Sequence, residues 1–248
     1  MLDVVVLAGS VNSGPLRECS EEANEAMIKI GSKPMIRYVV DALIKAQYIR
    51  KIVIVGPNEL KKLFSEEFVE VIEATGTAVE NLIRGLGFVD TSGKVMIATC
   101  DIPLLTAKAV DDFIQTRCEP EVDLYYPIVP MELIHSRFPS IKRTCVKLCE
   151  GNFTGGNLFI INPSVVADCE GKVQQFIDYR KSPIHLSRIL GVKFVIKFLL
   201  NRLSIPELEK KVSQVLGIRG KAVVTMYPEI GVDVDKASDY SIVSAYLK

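Results

Sequence analysis

Lys94-Val95-Met96-Ile97-Ala98-Thr99-Cys100-Asp101-Ile102-Pro103-Leu104-Leu105-Thr106 is the stretch on which the fold turns. A near-continuous apolar run passes into one aspartate, and Pro103, which cannot donate to a ladder, stops the extension two residues later. The pattern is that of a strand buried on both faces, whose carboxyl end delivers Asp101 to the crevice where open α/β sheets keep their ligands. Two readings of Asp101 stand here. A lone carboxylate suits Mg²⁺, a hard ion that takes oxygen ligands and keeps positions for water and phosphate. It equally suits a cap on the turn into a helix that opens near Thr106.

The composition bounds the rest. An apolar content of 48% in 248 residues is ample for the core of one large α/β domain. Thirty basic residues balance thirty acidic ones, so no global field draws in nucleic acid or an anionic membrane, and any phosphate site must be local. The six cysteines form no Cys-x-x-Cys pair and only two histidines are available, which argues against zinc and for reduced thiols in a cytoplasmic protein. The longest apolar stretch, 192–200, is interrupted by Lys193 and Lys197, and no basic leader precedes the first strand; the expectation is a chain without a spanning segment.

Upstream, residues 3–8 read as a buried strand running into Gly9-Ser10-Val11-Asn12-Ser13-Gly14-Pro15, a loop whose backbone can approach a nucleotide closely. It is neither a P-loop, since Pro15-Leu16 stands where Lys-Ser/Thr is needed, nor a dinucleotide fingerprint. Pro34 opens a helix with apolar residues at 35, 36, 39, 40, 43 and 44, followed by a strand at 51–55, a short helix after Asn58 and a strand at 68–72. Thr77 and Glu80 make a capping box after Gly76, and the N–H groups of that helix start are either simply capped or also turned to a ligand.

Downstream the strict alternation breaks. A helix at about 106–117 is followed by a strand at 122–129, a strand at 142–148 with one wet face, and Gly151-Asn152-Phe153-Thr154-Gly155-Gly156-Asn157 leading into the apolar run 158–161. The paired glycines read as a hairpin turn or as a close backbone approach. Residues 163–217 read as helical, with a capping signature at Ser204–Glu207 and a stop at Gly217; the apolar face around Phe194, Phe198 and Leu199 packs on the sheet or covers a partner subunit or, ranked last, lies on a membrane surface. A strand at 221–225 precedes Gly231-Val232-Asp233-Val234-Asp235, which puts two alternate acids on one face. Asp235 is a plausible cap for the closing helix 236–247, leaving Asp233 the better candidate for chemistry. The architecture expected is a three-layer, doubly wound α/β fold on a mainly parallel, mixed sheet, one domain over 1–248 with a partly helical insertion at about 130–215.

Leu7-Ala8-Gly9, Gly31-Ser32-Lys33-Pro34, Gly76-Thr77-Ala78, Cys100-Asp101-Ile102-Pro103 and Gly231–Asp235, in that order, resemble the nucleotidyltransferase family, in particular its molybdenum-cofactor guanylyltransferase-like group. The resemblance implies a nucleotide-diphospho-sugar transferase-like fold and transfer of a nucleoside monophosphate from a nucleoside triphosphate to a small phosphorylated or hydroxylated acceptor, with pyrophosphate released. It implies Leu7, Ala8, Gly9, Ser10, Gly76 and Thr77 against the nucleotide, Asp101 and Asp233 on Mg²⁺, and Thr154, Gly155, Gly156 and Asn157 near the acceptor. A homo-oligomer is compatible with it.

One departure bears on catalysis. Members of the family carry an arginine in the glycine-rich loop and a lysine upstream of the Lys33 position, both against the phosphates. Arg17 can supply the first, but Glu25 occupies the second. Like charges about 4 Å apart at an effective dielectric near ~20 cost on the order of 4 kcal/mol, so another cation such as Lys29 or Lys33 is required, or turnover is lost. The rival readings are therefore a non-catalytic nucleotide or sugar-nucleotide binding protein and, last, a glycosyltransferase using Asp233-Val234-Asp235.

Overall fold

The computed structural model describes residues 1–115, 119–166, 171 and 191–247. β1 (Leu2–Leu7) leads through a long loop to the two-residue strands β2 (Lys29–Ile30) and β3 (Lys33–Pro34), which pair with each other, and then to helix α1 (Met35–Lys45). Next come β4 (Ile49–Gly56), β5 (Val69–Glu73), α2 (Ala78–Leu86), β6 (Val95–Thr99) and α3 (Ala107–Gln115). The central strand β1 lies between β4 and β6, both parallel to it, and β4 is parallel to β5. This is the doubly wound half that the sequence predicts.

Three layers follow from the strand pleat. Val4, Val6, Ile52, Ile54, Met96 and Ala98 pack with Ile36, Val39, Leu43, Ala109 and Phe113 of α1 and α3. Val5, Val53, Val55, Val95 and Ile97 pack with Leu82 and Leu86 of α2 on the other face. Both faces of these strands are thus covered, which is why their apolar runs do not alternate with polar residues.

Beyond α3 the sheet becomes mixed. β7 (Leu124–Pro130), α4 (Met131–Arg137), β8 (Val146–Leu148), β9 (Gly151–Gly155) and β10 (Leu158–Ile161) follow in sequence, and the strand order is β5-β4-β1-β6-β10-β7-β9-β8. β11 (Gly220–Val224) pairs in parallel with β7. The strand expected at 142–148 is confined to its last three residues, because 142–145 run irregularly toward the carboxyl edge of the sheet. The hairpin reading of Gly155-Gly156 is overturned. β9 and β10 do not pair with each other; both run antiparallel to β7, with Ile128 opposite Gly155 and Tyr125 opposite Ile160, so the register slips by two residues between them. At that slip a Cβ on Gly156 would lie 2.6 Å from Ile230 Cγ2 and 2.9 Å from Pro127 Cγ, a close approach that excludes any side chain.

Of the helical stretch expected at 163–217, residues 167–170 and 172–190 lie outside the described residues, as do 116–118 at the end of α3. The described part holds α5 (Val192–Leu199) and α6 (Ile205–Leu216), the latter started by the capping box of Ser204 and Glu207 and ended by Gly217 in the left-handed region. Phe194 packs on a cluster with Ile128, Leu148, Phe153 and Leu203 under the sheet, while Phe198 and Leu199 are exposed. No helix among the described residues is long and apolar enough to cross a membrane, and the described cysteines, Cys19, Cys100, Cys145 and Cys149, are free. The chain closes with α7 (Ala237–Tyr246).

Candidate active site

The end of β6 and the segment before α7 build one acidic site. Val234 donates its N–H to the carbonyl of Asp101 at 2.9 Å, which lays residues 231–235 alongside the turn after β6. Val232 and Val234 are buried in a cluster with Ile28, Met35 and Val243, so the intervening acids face away from that core. Carboxylate oxygens of Asp101, Asp233 and Asp235 all lie within 4.8 Å of one another. Two oxygens on one Mg²⁺ are at most roughly 4.2 Å apart, so small side-chain rotations complete a site of hard oxygen ligands, and the donor set fits that ion.

The cap readings fail for both Asp101 and Asp235. The N-terminal turn of α3 is capped by Thr106, whose Oγ1 accepts from the Ala109 N–H at 3.2 Å, and Thr99 Oγ1 donates to Asp101 Oδ1 at 2.5 Å. At α7 the N-cap position is Lys236 and makes no side-chain cap. Asp235, set aside in the sequence as a helix cap, therefore belongs with the other two acids; the Asp-x-Asp alternation was the signal that pointed to it.

Three further side chains face this cluster. Arg143, in the irregular run before β8, is half-buried and meets both oxygens of Asp233: Nη1 lies in ion-pair contact with Oδ1, and Nη2 donates to Oδ2 at 2.7 Å. Asn157 Nδ2, swung in by the register slip, donates to Asp233 Oδ2 at 3.2 Å. Glu25, in the turn before β2, stands close enough that burial first, then Asp101 and Asp235, raise its carboxyl above the usual range. Burial likewise raises Asp101, with Asp235 adding to it and the Thr99 hydroxyl and Arg143 working against it. Cys100, buried behind them, is pushed well above the ordinary thiol range by burial, then by Asp101 and Glu25.

Around the cluster, the remaining sequence candidates fall into two groups. The loop after β1 is closed on itself: Asn12, 1% exposed, donates from Nδ2 to the carbonyls of Ser20 at 3.0 Å and Glu22 at 2.9 Å, and the Asn12 N–H bonds Ala23 at 2.9 Å. Leu7, Ala8 and Ser10 lend their carbonyls to Cys100, Asn24 and Glu25, and Gly9 packs against Ala74 and Asn81. Thr77 N–H is taken by Glu80 Oε2 at 2.6 Å in the capping box, with Gly76 before it at a positive φ of 74°. Leu7–Ser10 follow β1, which pairs with the Asp101 strand β6, whereas Gly76 and Thr77 follow β5, two strands beyond β1; Thr154 lies buried in β9 against Gly231.

The three expected cations are placed differently. Arg17 donates from Nη1 to the Glu21 carbonyl at 2.5 Å, within its own loop. Lys33 pairs with Asp41 at 3.2 Å and lies over the Tyr38 ring, on α1. Lys29 is exposed on β2, its carbonyl bonded by Tyr240 Oη. Among the described residues the cation paired with the acid cluster is Arg143. Its sequence neighbourhood, read as a half-wet strand, gave no sign of this, because the pairing depends on that strand not forming.

Comparison with known proteins bears on the family and the fold. The sequence matches the model of the MobA-like NTP transferase domain over residues 4–151. The fold superposes on a hypothetical transferase from Thermus thermophilus with a TM-score of 0.84 and 36% identity, covering 96% of this chain and 99% of that one. It is also similar to a nucleotidyl transferase from Methanothermobacter thermautotrophicus (TM-score 0.61, 14% identity, 99% and 97% of the two chains). CMP:2-keto-3-deoxy-manno-octonic acid synthetase complexed with CTP is similar too (0.60, 13%, 100% and 98%). At those identities the likeness is one of fold, the nucleotide-diphospho-sugar transferase-like α/β fold. No curated protein matches the sequence.

Proposed function

The chain belongs to the MobA-like NTP transferase family and is a nucleotidyltransferase, and on that premise we propose that it is Mg²⁺-dependent, moves a nucleoside monophosphate onto a small phosphorylated or hydroxylated acceptor, and releases pyrophosphate. The observation that carries this reading is the convergence of Asp101, Asp233 and Asp235 at the carboxyl edge of the sheet. Those three acids would hold the divalent ion, and a bound ion there neutralises charge on the α-phosphate during an in-line displacement.

The chain's own residues supply position. Leu7–Ser10 and Gly76–Thr77 form the edge for the nucleotide, and the segment Thr154–Asn157 carries the acceptor side, with Asn157 steadying Asp233. The acceptor oxygen, a phosphate oxyanion or a hydroxyl that gives up its proton to solvent, attacks Pα, the Pα–O bond to the β-phosphate breaks, and pyrophosphate takes the electron pair. Such transfer needs placement and electrostatics more than a covalent catalyst. Glu25 adds a further carboxyl at the same edge, so the phosphates need a cation brought to them. The test is pyrophosphate release from each of the four NTPs against a panel of sugar phosphates and polyols. Release that needs Mg²⁺ and disappears in Asp101→Ala supports the reading; nucleotide binding that is independent of Mg²⁺ and yields no pyrophosphate contradicts it.

A further inference from the structure

Asp233 is claimed twice. Both of its oxygens meet the Arg143 guanidinium, and the same carboxylate is one of the three whose oxygens lie within 4.8 Å of each other. A metal ion on Asp233 Oδ2 takes the acceptor of the Nη2 hydrogen bond, and one on Oδ1 takes the place of the Nη1 contact, so ion and arginine compete for this carboxylate. The pair is also incomplete on both sides: Arg143 Nε and Asp233 Oδ1 are buried and neither has a hydrogen-bond partner among the described residues, Nη1 and Oδ1 being in ion-pair contact only. A buried donor without a partner favours an alternative position in which it is satisfied.

Charge indicates where the guanidinium goes. Glu25, Asp101, Asp233 and Asp235 put four carboxyl groups at one edge. A divalent ion cannot balance four of them, and a triphosphate brings more negative charge still. Arg17 and Lys33 are held by Glu21 and Asp41, and among the described residues Arg143 is the cation paired inside this group.

We infer that Arg143 is an exchangeable counter-ion: it neutralises Asp233 until a divalent cation displaces it, and the released guanidinium then binds the phosphates of the incoming nucleotide. The inference rests on the metal reading of the three acids given above. It makes metal binding and phosphate binding mutually dependent through one side chain, and it supplies the positive charge that Glu25 removes.

Two measurements test it. Mn²⁺ binding to the nucleotide-free protein is followed by electron paramagnetic resonance for wild type, Arg143→Gln and Arg143→Lys, with Asp101→Asn marking the site. Arg143→Gln should bind Mn²⁺ about tenfold tighter or more, because no charge-assisted pair has to be broken, with the lysine variant in between. In the wild-type protein, phenylglyoxal labelling of Arg143 read by mass spectrometry should rise on saturation with Mn²⁺ and fall again when inorganic tripolyphosphate is added. A folded Arg143→Gln with unchanged or weaker Mn²⁺ affinity overturns the inference, as does labelling that Mn²⁺ leaves unaltered. The labelling decides alone if the variant does not fold. Absence of any Asp101-dependent Mn²⁺ binding overturns the metal reading itself, and is distinguished from the other outcomes by the wild-type isotherm.

Discussion

The Val234 N–H donates to the Asp101 carbonyl at 2.9 Å, and this one backbone bond joins the middle of the chain to its last segment. Neither acid-bearing segment is a site alone. Joined, they bring a half-buried acid from one and a buried and an exposed acid from the other within 4.8 Å of one another.

Crowded carboxyls set the response to pH and metal. Asp101 and Glu25 have folded-state pKa values raised by burial and by neighbouring acids. A raised carboxyl binds protons more readily folded than unfolded, so its contribution favours the folded state at low pH and is lost as pH rises through the folded pKa. Divalent ions act in the opposite sense, since they bind the deprotonated form. Thermal melts should show Mg²⁺ raising Tm near about pH 8, with the increment fading toward about pH 5 as protons displace the ion. Asp101→Asn should raise the metal-free Tm at neutral pH and abolish the Mg²⁺ increment.

Gly156 is fixed by space. An added methyl meets Ile230 and Pro127 at under 3 Å. Gly156→Ala should cost about 1–3 kcal/mol in urea unfolding, as overpacking does. It should also lower turnover, because the displaced segment carries Asn157 away from Asp233.

The loop after β1 is held by Asn12. Replacing it by alanine removes two hydrogen bonds to Ser20 and Glu22 from a fully buried position. Asn12→Ala should destabilise the protein by about 2 kcal/mol and, on the proposal that this loop borders the nucleotide, raise the KM for the NTP more than it lowers kcat.

Lys33 gives a contrasting case. Its ammonium sits on Asp41 and Tyr38 at the protein surface. Lys33→Ala should cost less than about 1 kcal/mol and leave the rate of pyrophosphate release near that of wild type, measured beside Asp101→Ala.

How far the sequence could be read depends on the range of the interactions involved. The parallel half was legible because buried strands and amphipathic helices write their surroundings into local pattern: the run ending at Asp101, the stripe of α1 and the Thr77–Glu80 box each appear where expected. Asp101 and Asp233 were legible through their places at segment ends. Asp235 was misread because a single acid before a helix has the same local signature whether it caps or faces a ligand. Arg143 and the register slip at Gly156 were not legible, since each depends on a tertiary partner, Asp233 in one case and Ile230 in the other. Lys33 sits in the expected motif, yet its partner Asp41 on the next helix decides where its charge lies.

The central claim is that one divalent cation sits among Asp101, Asp233 and Asp235, and anomalous diffraction from a crystal grown with MnCl₂ and an NTP tests it most directly. The account predicts an anomalous peak at about 2.0–2.3 Å from carboxylate oxygens of Asp101 and Asp233, next to the α-phosphate. A nucleotide bound at the sheet edge with no peak among these acids, or with the ion held elsewhere on the protein, contradicts it.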